Sequence, residues 1–381
     1  MADFNELQEI LKYTVLTDMY QEYGRENATP NPLYDYYVGG TPAKPFPADL
    51  VEFVVVSAIR QAAPINLRDS PARMMQPTGK SVRRMMMMRM FNSLQLGVGS
   101  LQMLRKPEVY ELQNKGMDEI NQQLEDLGTK QAITKRLICA KGFTGGVIYI
   151  DAGGNVLESS TNALWSLNWG VPAANTGQLA RSNFFSGGTG NIIATKWSDP
   201  SALILDQLDE LSDAAQRLRV PPPRHVWLFR PNKKWIRNNL QIQKLYNFQT
   251  LANRLDNDLK DDSFEINNYV FHFMGATYQP ASGPPDAPYI PVNLAIVTPE
   301  RGPWFLNGEG MEYVPGESIL KQVAPPTGSV SEVMADFDEK YGDFAYLELA
   351  HNPLRVNVFA GSNFLFGLKA PNAIFPITCD F

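Results

Sequence analysis

The residues best spaced for acid–base chemistry are paired carboxylates: Asp206 with Glu210, and Asp336 with Asp338 and Glu339. Acids at such spacings are more often a solvated helix face or a turn. The chain has no GxSxG nucleophile elbow and no cysteine set beside a histidine. The run SGGTGN at 186–191 lacks the Lys-Ser/Thr of a phosphate loop and leads into IIATKW, so it reads as a surface loop. His225, His272 and His351 are scattered without an HExxH or CxxC partner, and the first two sit in apolar strands where a hydrogen-bonded structural histidine is expected. Cys139 and Cys379 read as reduced structural thiols. The residues therefore predict no catalytic, cofactor-binding or metal-binding site, and no enzyme.

Adhesion is the chemistry the sequence does concentrate. Residues 51–104 carry Arg60, Arg68, Arg73, Lys80, Arg83, Arg84 and Arg89 against only Glu52 and Asp69. Seven of the 14 methionines, Met74, Met75, Met85, Met86, Met87, Met88 and Met90, fall between residues 74 and 90 of this stretch. VEFVVVSAI and RRMMMMRMF bracket a Gly/Pro/Ser loop, which predicts a long two-stranded excursion. A lone hairpin buries too little to be stable, so adaptable methionines on it point to a surface elsewhere, or to a sheet of this chain's own core. The next segment has the opposite charge. A helix opened by Pro107 and running to about Lys141 holds Glu108, Glu111, Asp118, Glu119, Glu125 and Asp126 in its N-terminal half, with basic residues at its end. At 1.5 Å per residue it would be roughly 50 Å long, which suits a scaffold.

The remaining elements frame these two. Residues 4–20 form an amphipathic helix, and 27–47 an extended arm in which prolines oppose helix. GGVIYIDAGGNV is a hairpin turning at Asp151–Gly154. Residues 197–300 alternate helix and strand: a helix from Trp197-Ser198-Asp199-Pro200 to the stop at Pro221–Pro223, the strand HVWLF, then one helix from Pro231 through LANRL. Short β runs close the chain.

Composition narrows the class. The 381 residues are 44% hydrophobic and 19% charged, which excludes wholesale disorder. A formal charge of −6 is the wrong sign for sequence-specific DNA readout. No apolar run approaches a membrane span and the start has acids where a signal peptide is basic, so a soluble protein made inside the cell, without a membrane partner, is expected.

The order of parts, and the stretches FVVVSAIRQAAPINL, KRLICAKGFTGGVIYIDAGGNV and HVWLFRPNKKW, resemble a tailed-phage major capsid protein of the lambda type. The resemblance implies an α+β chain with the Hong Kong ninety-seven capsid fold. Its parts would be an N-terminal arm at 1–50, an extended loop at 51–104, a spine helix and peripheral domain at 105–196, an axial domain at 197–340, and C-terminal strands returning to the core at 341–381. The implied function is structural: hexamers and pentamers of an icosahedral head, assembled in the host cytoplasm and located in the virion capsid. Implied partners are a separate scaffolding protein, a portal protein, a cement protein on the outside, and double-stranded DNA held without sequence specificity. An encapsulin-type compartment shell is the alternative within the fold, and a polysaccharide hydrolase the alternative outside it.

The opposite charge of the two segments predicts that the extended loop, Lys80 included, docks on a neighbouring subunit's spine helix, with Arg68, Arg73, Arg83, Arg84 and Arg89 matched to the helix acids. Exposed ion pairs are worth only ~0–1 kcal/mol, so Met85 to Met88 are expected to supply most of the adhesion. A loop–helix pairing within one chain stays open as the alternative. Lys80 is the one lysine in 51–104 and is expected to be solvated rather than crosslinked.

Overall fold

The computed structural model describes residues 13–26, 30–56, 80–96, 110–157, 159–176, 195–246, 262–280, 283, 285–315, 337–351 and 354–380. Helix α1 (Tyr13–Glu26) runs past the expected end at residue 20, and residues 1–12 lie outside the described set. Its Leu16 and Tyr20 are buried, and Thr17 Oγ1 accepts the Ala345 N–H at 3.0 Å. The described part of the arm expected over 27–47, residues 30–47, is not extended throughout. Helix α2 (Pro32–Tyr34) runs into a π-helical turn at Asp35–Gly39. Pro32 occupies the first helical turn, where its missing N–H costs nothing, and Asn31 Oδ1 caps it by accepting the Tyr34 N–H at 3.1 Å. Tyr37 is fully buried, with its hydroxyl 2.8 Å from the Pro299 carbonyl. The described arm therefore buries its apolar residues within its own chain.

Strands β1 (Lys44–Phe46), β2 (Leu50–Val56), β3 (Lys80–Met86) and β4 (Met88–Leu96) follow. The expected two-stranded excursion divides at Met87, whose N–H is taken by Asp49 O at 2.6 Å. The antiparallel ladder β2–β3 is one sheet, while β4 belongs to another. Helix α3 (Tyr110–Thr144) has 35 residues; Pro107 lies outside the described residues. Strands β5 (Val147–Ile150), β6 (Val156–Leu157) and β7 (Trp165–Asn168) form the hairpin and its third strand, with Asp151 Oδ1 accepting the N–H groups of Gly153 and Asn155 at 2.8 Å.

Helix α4 (Ile204–Leu218) starts later than expected, because Asp199 Oδ1 takes the Ser201 N–H and hydroxyl at 2.8 and 2.7 Å and closes a separate turn first. After β8 (Pro223–Phe229), the single helix expected from Pro231 is two: α5 (Lys233–Asn238) and α6 (Leu240–Tyr246). Buried Asn239 makes the break, its Oδ1 capping Ile242 N at 3.1 Å and its Nδ2 donating to Ala202 O at 2.6 Å. Then come β9 (Ser263–Ile266), β10 (Tyr269–Met274), β11 (Thr277–Tyr278), β12 (Ala287–Pro288), β13 (Leu294–Pro299), β14 (Phe305–Pro315), β15 (Phe337–Tyr341), β16 (Asp343–His351), β17 (Leu354–Leu368) and β18 (Phe375–Thr378).

Two sheets organise the molecule. One has the order β1-β14-β17-β16, with β15 on β14 and β4 on β17; the other is β18-β13-β8-β10-β9. The first core joins the β2–β3 ladder, the C-terminal half of α3, Trp169, Trp304 and Phe366. The second packs Leu205, Leu208 and Leu211 of α4 with Trp235, Ile236 and Ile242 on one face of the five-stranded sheet. The C-terminal strands are shared, β16 and β17 in the first sheet and β18 in the second. Among the described residues no helix is long and apolar enough to cross a membrane.

Candidate subunit interface

The β2–β3 ladder has two unlike faces, because alternate residues of a strand point to opposite sides. Leu50 pairs with Met86, Glu52 with Arg84 and Val54 with Val82; the intervening pairs are Val51 with Met85 and Phe53 with Arg83. Val51, Phe53, Val55 and Met85 are buried in the first core. On the other face Leu50, Val54, Val82 and Met86 are 50, 45, 60 and 59% exposed. Between them Arg84 Nε meets Glu52 Oε1 at 2.5 Å. Two apolar cross-strand pairs around one solvated ion pair form a patch suited to another surface.

The methionine expectation is corrected in part. Met85, Met87 and Met88 lie in the chain's own core, and of the run Met85–Met88 only Met86 is exposed. The arginines divide too. Arg83 is committed within the chain: its guanidinium donates to Trp169 O at 2.5 Å and lies over Gly170, whose φ of 71° and missing Cβ make the space. Arg89 pairs with Glu312 at 2.7 Å and lies 4.9 Å from the centre of the Phe91 ring. Arg68 and Arg73 lie outside the described residues, as does the side chain of Lys80.

On α3, Asp118, Glu125 and Asp126 are exposed and Glu119 is half-buried. Glu108 lies outside the described residues, as does the side chain of Glu111. The basic end of the helix turns inward: Arg136 is buried, and Lys135 pairs with Asp343 at the edge of a cleft of about 730 Å³. Burial, then Asp343, push the Glu309 carboxyl above the usual range there, while Lys135 opposes them.

His225 and His272 are hydrogen-bonded groups of the sheet, as expected for histidines in apolar strands, and the side chain of His351 lies outside the described residues. His225 Nδ1 lies 2.9 Å from His272 Nε2, and His225 Nε2 lies 2.9 Å from the Tyr36 hydroxyl. His272 stacks on Trp227 at 4.0 Å. The cluster ties the N-terminal segment to the five-stranded sheet. Burial, then Arg224, hold His225 at about 4, and burial, then His225, hold His272 at about 3.

Other chemistry does not converge. Asp206 accepts from Gln241 at 2.7 Å and Asp209 from Tyr269 at 2.9 Å, both on the surface of α4. Cys139 and Cys379 are buried in different cores. Among the described residues no three His, Cys, Asp or Glu side chains group to hold a metal. Asp336 and the run 186–191 lie outside the described residues. The outward residues Leu50, Val54 and Val82 are the ones sequence reasoning missed; the alternation of LVEFVVV against KSVRRMM is the signal that finds them.

The family model described as phage major capsid protein E matches residues 16–323. Among solved structures, a protein assigned as a prophage capsid protein of E. coli CFT073 is 11% identical, with 97% of this chain and 99% of that chain covered and a TM-score of 0.57. A phage-related protein from Bordetella bronchiseptica RB50 is 9% identical, with 96% and 97% covered and a TM-score of 0.47. The Gordonia phage Cozz structure is 10% identical, with 93% and 88% covered and a TM-score of 0.43. No curated protein matches.

Proposed function

The chain belongs to the phage major capsid protein E family, and from that premise we propose how it builds a shell. Its role is structural and its place is the virion capsid, where many copies assemble; the mixed α/β chain has the Hong Kong ninety-seven fold. The compartment-shell and polysaccharide-hydrolase alternatives are not favoured by the family match. In our reading the copies form hexamers and pentamers, and the outer face of the β2–β3 ladder seats on a neighbouring subunit. The observation that carries this is the division of one ladder into a buried face and an apolar exposed one.

The spine helix acids Asp118, Glu125 and Asp126 suit a neighbour that presents Arg84, so charge chooses partner and register while Leu50, Val54, Val82 and Met86 adhere. The division into arm, extended loop, peripheral and axial parts belongs to the same reading. So do assembly in the host cytoplasm with a separate scaffolding protein, a portal protein, a cement protein, and DNA enclosed without sequence readout. The negative net charge supports loose DNA packing over tight binding. Electron microscopy of the chain co-expressed with the scaffolding protein tests the reading: closed shells are expected, and dispersed small particles would overturn it.

A further inference from the structure

The helices α4, α5 and α6 pack on one face of the five-stranded sheet, and their outer sides differ in character. Helices α5 and α6 bury Trp235, Ile236 and Ile242 inward. Outward they expose Lys234 and Lys244, with Leu240 and Leu245 49 and 52% exposed. Two half-exposed leucines beside two lysines on short helices are a surface suited to a partner that is both apolar and acidic.

Helix α4 carries the complementary surface. Asp206, Glu210 and Asp213 lie on the side of the helix away from buried Leu208, Leu211 and Ala215. At one-turn spacing like charges repel; burial, then Asp206, push the Glu210 carboxyl upward, while exposed Arg217 on the same side opposes them and leaves the face acidic by three carboxylates to one guanidinium. Leu203 and Leu218, at the two ends of this helix, are 40 and 39% exposed.

We propose that these two surfaces meet between copies of the chain, the α5–α6 surface of one subunit receiving the α4 surface of the next around a ring. The proposal rests on the capsid reading and adds which faces join neighbouring subunits within a capsomer. A contact between two different patches runs head to tail, and closes into a ring when its rotation divides a circle. A two-fold pairing of either patch with itself would set like charges together, so complementarity selects the head-to-tail arrangement.

The test reverses each face. Glu210→Lys with Asp213→Lys makes one face basic; Lys234→Glu with Lys244→Glu makes the other acidic. Each pair alone should yield no shells by electron microscopy, while the subunits keep the wild-type circular dichroism. All four changes in one chain should restore closed shells. Co-expressing the two singly reversed subunits should give six-membered rings in alternation but no closed shells, since a five-membered ring cannot alternate. If a reversed pair unfolds, the neutral pairs Glu210→Gln with Asp213→Asn and Lys234→Gln with Lys244→Gln should still lower the yield of shells.

Closed shells from either reversed variant would overturn the proposal, including shells that have lost only a second virion protein. So would rescue by the fourfold variant with no rings in the mixture, which would put the contact inside one chain. Absence of shells from the wild-type chain co-expressed with the scaffolding protein, the background in which every variant is compared, would overturn the capsid reading instead, so the two failures are distinguishable.

Discussion

Met86 stands directly opposite Leu50 across the β2–β3 ladder, both half exposed, while their neighbours Met85 and Val51 are opposite each other and buried. Adjacent methionines in one run thus have different tasks. Met86→Ser with Val82→Ser should leave the soluble subunit's thermal unfolding within a degree or two of wild type yet reduce assembled particles. Met87→Ser should instead destabilise the subunit itself, by roughly 2–5 kcal/mol for loss of a buried side chain. Equal effects of the two changes on unfolding in denaturant would contradict this division.

Arg84→Gln removes the ion pair with Glu52 on the same outer face. Exposed pairs contribute ~0–1 kcal/mol and are screened by salt. Particle yield should therefore fall less than for Met86→Ser, and the difference from wild type should shrink as salt rises, measured by sedimentation. A larger loss than for Met86→Ser would make charge the main source of adhesion.

Gly170→Ala meets two obstacles: a φ of 71°, and the Arg83 guanidinium where the new Cβ would sit. Backbone strain of this kind costs about 1–3 kcal/mol. In an Arg83→Ala background the same change should cost less, because the collision is gone while the φ penalty stays. Additive costs in a double-mutant cycle would show that the two residues do not interact.

The His225–His272 pair predicts acid sensitivity with a definite sign. Both folded-state pKa values, about 4 and about 3, lie below the ordinary 6.5. The unfolded chain therefore binds protons first, and the stability these groups contribute is present above about 6.5 and lost as pH falls through about 4 and 3. Arg224, Glu300, Trp227 and Tyr36 surround the pair and set its local field. Thermal unfolding followed from pH 7 to 3.5 should show a steep decline that flattens in His272→Gln. An unchanged slope in that variant would assign the decline to carboxylates elsewhere.

Local chemistry made some elements legible in the sequence. Asp151–Gly154 had the turn residues of a hairpin, and the stop at Pro221–Pro223 follows α4 directly, though Arg219 adopts the left-handed cap where glycine is usual. Pro32 was misread because proline opposes helix only beyond the first turn. The break at Asn239 escaped notice because its cause is tertiary: Ala202 O and Pro200 O accept from the junction, and neither neighbours it in sequence. The excursion was read as one basic, methionine-rich block because composition averages over both faces of a strand. Pairing register separates them, and register depends on which residues stand opposite.

The central claim is that the outer face of the β2–β3 ladder is covered by another copy in the shell. A cryo-electron microscopy reconstruction of assembled particles tests it most directly. The account predicts closed shells in which Leu50, Val54, Val82 and Met86 are buried against a neighbouring subunit. Closed shells that leave those four side chains facing solvent would contradict it.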